Sequence, residues 1–297
     1  MHVLITGGTG FIGSYLVNAL LKRGDTVAIV TRSSRSSSTK GIKFIGWNDN
    51  LVDEMEMCDA VVNLAGSNLF DDRWNDQVKK EIISSRVDAT RKMVDAINQA
   101  KSKPSVFLSG SAIGYYGSKG DQILTEESPP ADDFLAMVCV KWEEEAHKLN
   151  SPGVRLVIPR IGIVKQKDDG ALKKMLLPFK LFGGGPIGSG DQYYPWIHMD
   201  DVVGSLLFAI DNEKVTGPIN ITAPQPVTMS VFAKTLGEVL SRPSWFPVPE
   251  FVLRVAVGEA AASIVSSHRV IPQKLQELGY TFRFPELKPA LKDILKD

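Results

Sequence analysis

The sequence predicts an α/β chain built on a doubly wound parallel sheet with helices on both faces. Three observations predict it. Short β-branched runs alternate with longer helical patterns, a glycine loop follows directly on the first run, and the alternation loses its regularity only after Arg160. Residues 3–6 read as a buried strand. Residues 14–23 read as a helix, with Leu16, Ala19, Leu20 and Arg23 three or four apart and Gly24 as its stop. Residues 26–30, 43–45 and 60–64 supply the second, third and fourth strands. Residues 76–100 are long, charged and periodic, which predicts a helix. A fifth strand over 106–109, a helix over 133–149 and a sixth strand over 155–159 complete an N-terminal domain spanning 1–160. Beyond it, glycine and proline cluster in Gly183-Gly184-Gly185-Pro186 and Gly188-Ser189-Gly190. Residues 161–297 read as a smaller α/β substrate lobe interleaved with the last sheet elements. The serine-rich tract at 33–38 reads as a mobile loop.

Bulk properties narrow the function classes. With 297 residues, 43% of them hydrophobic, the chain can bury a sizeable core. Basic and acidic residues balance at 34 each, so nothing electrostatic recommends nucleic acid or an anionic membrane as partner. The only cysteines, Cys58 and Cys139, offer no metal spacing and suit a reducing compartment. The apolar start Val3-Leu4-Ile5 runs straight into glycines with no basic region before it, unlike a signal peptide. Residues 251–265 are interrupted by Arg254 and Glu259 and read as an amphipathic or core helix, not a membrane span. A soluble, cytoplasmic protein with a small-molecule partner is expected, its oligomeric state open.

The glycine loop carries the most specific signal. Gly7, Gly10 and Gly13 fall between a strand and a helix. The first allows a tight turn, the second a close approach of backbone to a pyrophosphate, and the third close packing of helix on strand. Thr9, Phe11 and Ile12 complete a loop whose amides and helix dipole would face the phosphates of a dinucleotide. This is a Rossmann-type arrangement. A P-loop is excluded because Ser14 stands where its lysine should follow Gly13. The second strand runs into Thr31 and Arg32 rather than an acidic residue. A guanidinium can pair with a 2′-phosphate that a carboxylate would repel, so NADP(H) is favoured over NAD. The alternative for Arg32 is a solvated arginine beside a loop.

The loop Thr6-Gly7-Gly8-Thr9-Gly10-Phe11-Ile12-Gly13, with Asn63-Leu64-Ala65-Gly66, resembles the extended and atypical short-chain dehydrogenase/reductase superfamily. Further segments are Arg73-Trp74, Lys80-Glu81, Ser85-Arg86, Gly114-Tyr115-Tyr116-Gly117, Trp142-Glu143, the glycine run 183–190 and Pro195-Trp196-Ile197-His198. In this order they are similar to the nucleoside-diphosphate-sugar epimerase-like family, whose members carry a short extra C-terminal module, here about 246–294. The resemblance implies cofactor contacts from Thr31, Arg32, Leu64, Ala65, Gly66, Glu81, Arg86, Ser109, Pro159, Arg160 and Ile161. Read alone, Glu81 and Arg86 are a solvated helix face.

The same resemblance implies a serine, and a tyrosine and lysine four apart on one helix, as the proton-handling groups. The helix here reads Phe134-Leu135-Ala136-Met137-Val138-Cys139-Val140-Lys141-Trp142-Glu143, which puts Leu135 and Cys139 in the tyrosine and lysine slots. Lys141 is the nearest cation, but two residues further is about 200° around the helix. Ser111 fits the serine slot, and Tyr116 is a substitute acid if its pKa is lowered; aromatic packing is the other reading of Tyr115 and Tyr116. Ser111, Tyr116 and Lys141 are therefore the candidate catalytic residues. Asn68, Arg73, Trp74, Trp196 and His198 are candidate substrate contacts, with a surface ion pair the alternative for Arg73 and a structural role that for His198. His198, Asp200 and Asp201 do not make a metal site, because no histidine or cysteine cluster supports them. The expected activity is NADP-dependent epimerase or reductase chemistry on a small polar substrate, a sugar nucleotide among the possibilities. An NADP-binding sensor without turnover is the alternative.

Overall fold

The computed structural model describes residues 1–32, 39–167 and 170–296; the expected loop at 33–38 lies outside them. The chain opens with β1 (His2–Thr6), α1 (Phe11–Arg23), β2 (Thr26–Thr31), β3 (Ile42–Gly46), α2 (Leu51–Met57) and β4 (Ala60–Asn63). It continues with α3 (Asp76–Gln99), β5 (Val106–Ser109), β6 (Ser111–Ala112), β7 (Ile123–Leu124), α4 (Phe134–Ala146) and β8 (Arg155–Ile161). Then come β9 (Ile163–Lys165), α5 (Gly170–Lys180), β10 (Tyr193–Tyr194), β11 (Trp196–His198), α6 (Met199–Asp211) and β12 (Gly217–Ile221). The chain finishes with β13 (Val227–Thr228), α7 (Met229–Leu240), α8 (Glu250–Val257), α9 (Ala261–Ile264), β14 (Arg269–Val270), α10 (Gln273–Glu277) and α11 (Leu287–Ile294).

Among the described residues the central sheet runs β3-β2-β1-β4-β5-β8-β12, all parallel, with short β6 alongside β8. The order reverses at β1, whose neighbours β2 and β4 lead off in opposite directions. That places a crevice at the carboxyl ends of β1 and β4, where Rossmann folds take their ligands. Strand residues alternate between two cores. Val3, Ile5 and Val62 pack with α1 and α6, while Leu4, Val61 and Phe107 pack with α2 and α3. A further core joins α5, β10, β11, α7 and α11 through Phe179, Trp196, Phe232 and Leu291. No helix among the described residues is long and apolar enough to cross a membrane.

Local chemistry explains the element boundaries. The first helix begins at Phe11, three residues before the expected start, because Gly10 accepts the first helical bond from the Ser14 N–H at 2.9 Å. Gly13 is thus inside the helix, not in the loop. The helix stops at Gly24 as expected, with φ 93° and its N–H on the carbonyls of Leu20 and Leu21. Helix α2 was not expected. Its Asn50 cap and buried Leu51 and Met55 span only two turns, too few to show a period. Residues 251–265 do not form one helix. Gly258, at φ 66°, breaks the run into α8, a 3-10 turn and α9, and α8 buries none of its residues, so it is not a core helix.

Candidate functional site

The glycine loop sits at the carboxyl end of β1 and is built from backbone. Gly7 turns the chain at φ 69°, and a Cβ there would lie 2.6 Å from the Leu64 carbonyl oxygen. The Gly10 N–H donates to the Gly7 carbonyl at 2.9 Å, closing the turn. A Cβ on Gly13 would stand 2.1 Å from the same carbonyl oxygen, so only glycine lets α1 rise this close to the loop. Gly10 caps the helix without a side chain, and no acidic residue occupies the first turn. The N–H groups of Phe11, Ile12 and Gly13 are the first of the helix and lack intrahelical acceptors. Thr9 and Gly10 are exposed beside them. The loop therefore presents donors, a helix dipole and no competing anion, which suits a pyrophosphate. Thr31 ends β2 and Arg32 follows it, exposed.

Beneath the loop lies a buried polar chain that sequence reasoning did not single out. The Thr6 hydroxyl donates to Asn63 Oδ1 at 2.5 Å, and Asn63 Nδ2 donates to Thr90 Oγ1 at 2.8 Å. Trp142 Nε1 donates to the same hydroxyl at 2.9 Å, and the Thr90 hydroxyl donates to the Arg86 carbonyl at 2.8 Å. The Ala65 N–H returns to Thr6 Oγ1 at 3.2 Å, which fixes the Leu64-Ala65-Gly66 segment against Gly7. The signal was present, since Asn63 and Trp142 belong to motifs quoted above, but pairing residues 27 to 59 apart needs the fold. Arg86 caps this chain. Its guanidinium donates to the Ile82 and Ser67 carbonyls, each at 3.0 Å, and lies over the Trp142 ring, while burial lowers its pKa. Glu81 stands exposed on the outer part of α3.

A second buried network takes up most of the proposed catalytic residues. Arg160 grips Glu143 with two parallel bonds of 2.9 and 2.7 Å, and Ser111 donates to the same carboxylate at 2.6 Å. Arg160 also donates to the Tyr116 hydroxyl at 2.9 Å and lies 3.5 Å from the Tyr115 ring centre. Tyr116 in turn donates to Asn220 Oδ1 at 2.7 Å and is wholly buried. Burial pushes its pKa up to about 12 despite Arg160, the opposite of what an acid catalyst needs. Burial opposes the Arg160 charge, but the bonds to Glu143 and Tyr116 outweigh it and raise that pKa. Arg160, expected to close over the cofactor, is thus turned inward, between Pro159 and Ile161 on β8.

Helix α4 brings Leu135 and Cys139, one turn apart, toward Gly114. A Cβ on Gly114 would lie 3.4 Å from Leu135 and 3.9 Å from the Cys139 sulfur. Burial, then the Glu143 charge, pushes the Cys139 thiol up to about 12, so it is no thiolate. Lys141 is exposed on another face of α4. Ser109 ends β5, buried, with its hydroxyl unpartnered.

The proposed substrate contacts divide into two groups. Asn68, Arg73 and Trp74 lie on the segment after β4. Asn68 donates to Asp71 at 2.7 Å, Trp74 stacks edge-on with Phe134 at 5.0 Å, and Arg73 donates to the Val255 carbonyl. Phe70, Asp71, Asp72 and Arg73 line a cavity of about 90 Å³ with Ala256, Val257 and Ala260. Trp196 and His198 are elsewhere. Trp196 is in the core shared by α5, α7 and α11. His198 caps α6, its Nδ1 accepting the Asp200 N–H at 3.0 Å, and its ring packs 4.0 Å from Phe284. Burial lowers its pKa, partly offset by Asp200, Asp201 and Asp293. The structural reading of His198 accounts for all of these contacts.

Comparison with known proteins agrees with this geometry. Residues 3–222 match the family model of the NAD dependent epimerase/dehydratase family, and residues 248–294 match a domain of unknown function. The chain is 38% identical over 301 residues to the epimerase family protein YfhF of Bacillus subtilis, covering all of this chain and 99% of that protein. The human epimerase family protein SDR39U1, solved with NADPH, superposes with a TM-score of 0.90 at 38% identity, over 99% of both chains. A nucleoside-diphosphate sugar epimerase from Corynebacterium glutamicum superposes with a TM-score of 0.79 at 31% identity, over 99% of this chain and 58% of that one.

Proposed function

Because the chain belongs to the NAD dependent epimerase/dehydratase family, we propose that it binds NADP(H) and exchanges hydride with a hydroxyl- or carbonyl-bearing carbon of a small molecule. One observation carries the reading: the backbone cradle at Gly7–Gly13, where a Cβ on any of the three spaced glycines would crowd backbone atoms. The amides of Phe11, Ile12 and Gly13 would hold the pyrophosphate, and Leu64, Ala65 and Gly66 would wall the crevice beside it. Arg32 would pair with the 2′-phosphate. When bound, NADP(H) supplies or accepts hydride at nicotinamide C4.

The chain's own residues decide how the proton travels. Ser111 is committed to Glu143, Tyr116 to Asn220, and Lys141 is exposed on α4. Leu135 has no ionisable group, and burial keeps the Cys139 thiol too weak an acid to give up its proton at neutral pH. We therefore assign the proton to water. The apolar pair in those two slots also favours the second reading, a nucleotide sensor without turnover. Cys58 and Cys139 are both free and buried, and on that basis we place the protein in the cytoplasm.

Titration calorimetry tests the cofactor assignment. Wild type should bind NADPH more tightly than NADH, and Arg32→Ala should weaken NADPH alone by about 10- to 100-fold, the worth of a charged hydrogen bond of about 1.5–3 kcal/mol. Equal NADPH affinity in the variant would remove Arg32 from the site. Absorbance of NADPH during incubation with carbonyl compounds separates enzyme from sensor.

A further inference from the structure

We infer that Arg86 is a fixed, unpaired charge on the nicotinamide side of the crevice, and that it makes the site prefer the reduced cofactor, NADPH, over NADP⁺. The inference rests on the cofactor reading above and narrows it to one redox form.

The charge is built into the crevice wall. Arg86 rises from α3 and lies flat against backbone that glycine leaves open. A Cβ on Gly66 would stand 3.0 Å from the guanidinium carbon. The guanidinium also lies over the Trp142 ring, 5.4 Å from its centre. Trp142 in turn packs under Gly110, where a Cβ would be 3.1 Å from the indole. Gly66 follows β4 and Gly110 follows β5. Arg86 therefore stands at the carboxyl ends of these two strands, across β1 from β2. In a Rossmann fold the β2 side takes the adenosine half of the dinucleotide, and the β4–β5 side takes the nicotinamide half.

No carboxylate among the described residues pairs with this charge. Arg86 donates to the carbonyls of Ile82 and Ser67, each at 3.0 Å. Arg160, the other arginine of this region, is by contrast paired with Glu143. A guanidinium has five N–H groups, so donors remain after those two bonds. A cation held in this way, partly out of water and without a counter-charge, costs stability that a binding partner recovers.

The neighbouring face of α4 adds no further charge. It presents Leu135, Cys139 and Trp142, while Lys141 is exposed on another face. Burial first, then the Glu143 charge, raises the Cys139 thiol's pKa, and the Arg86 charge is near enough to oppose them. Arginine keeps its proton at any working pH, so Arg86 orients and repels but passes no proton.

The consequence is electrostatic. The nicotinamide ring is cationic in NADP⁺ and neutral in NADPH. A permanent positive charge beside it, little screened by water, repels the first and leaves the second untouched. Such a site loads NADPH and lets NADP⁺ go, the order that donating hydride to a carbonyl carbon requires.

The test reads binding, not turnover. NADPH, NADP⁺ and 2′,5′-ADP, the adenosine half alone, are titrated calorimetrically into wild type, Arg86→Met and Arg86→Lys. Wild type should bind NADPH at least about tenfold more tightly than NADP⁺, the scale of a like-charge repulsion in a partly screened site. Arg86→Met should bring the two within about threefold of each other, and Arg86→Lys, which keeps the charge, should preserve most of the difference. Affinity for 2′,5′-ADP should stay within about twofold in both variants, which also confirms folding. A purely structural role moves NADPH and NADP⁺ together. An unchanged ratio in Arg86→Met, equal affinities in wild type, or a loss of 2′,5′-ADP binding as large as that of NADPH would each overturn the inference while the cofactor reading stands. If wild type binds neither nicotinamide form, the cofactor reading falls and the inference with it.

Discussion

Removing the Arg160 guanidinium should destabilise the fold more than any other single truncation around the site. The substitution is Arg160→Met, which keeps much of the side-chain length and loses the charge. Arg160 and Glu143 are 4% and 8% exposed and joined by two bonds of 2.7 and 2.9 Å. Removing one member of such a pair leaves an uncompensated buried charge, which costs about 3–5 kcal/mol. The stacking on Tyr115 contributes about another 1 kcal/mol. At about 2 °C per kcal/mol for a chain of this size, the midpoint should fall by roughly 8–12 °C. Urea unfolding followed by tryptophan fluorescence measures the loss. The double variant Arg160→Met/Glu143→Gln removes both charges and keeps an acceptor for Ser111. It should recover about 2 kcal/mol relative to the sum of the singles. A loss below about 1 kcal/mol, or strict additivity in the double variant, would refute the account of this network as a buried charge pair.

Gly13→Ala should abolish NADP(H) binding measured by calorimetry, because the new methyl would sit 2.1 Å from the Gly7 carbonyl oxygen and force the loop apart. Unaltered affinity would mean that the loop does not hold the phosphates. Lys165 is fully buried against the Tyr194 hydroxyl at 2.5 Å and the rings of Tyr194 and Phe232, and burial drives its pKa well below the usual lysine range. Lys165→Met should therefore stabilise the protein by about 1–3 kcal/mol at pH 7, since a buried amine is replaced by an apolar chain of similar volume. The sign of the pH effect follows from linkage. The unfolded chain binds the lysine proton up to about pH 10.4 while the folded chain releases it earlier, so stability rises with pH across that interval and levels off above it. Chemical unfolding between pH 7 and 10 should show this rise in wild type and a shallower one in Lys165→Met; identical slopes would mean that the amine is charged in the fold.

Much of the architecture was readable from one-dimensional pattern. The parallel sheet followed from the alternation of β-branched runs and helices, the turn of the dinucleotide loop from the glycines at 7, 10 and 13, and the end of α1 from Gly24. Each is a short-range matter: what φ a residue tolerates, what a Cβ would strike, how often an apolar side chain recurs. That Leu135 and Cys139 share one face of α4 could be read too, because a helix fixes which residues lie a turn apart, and both lie toward Gly114.

The sequence on its own determined the parallel sheet, the glycine turn after its first strand and the stop of α1 at Gly24. Only the tertiary structure decided where Ser111, Tyr116 and Arg160 spend their polar groups, that His198 caps a helix, and that 251–265 breaks at Gly258 to leave α8 beside the cavity. The physical reason is distance along the chain. Arg160 meets Glu143 across 17 residues and Tyr116 meets Asn220 across 104. No local propensity encodes such a pairing. It appears when a buried charge or hydroxyl, having lost water, must take whatever partner the packed elements bring within reach.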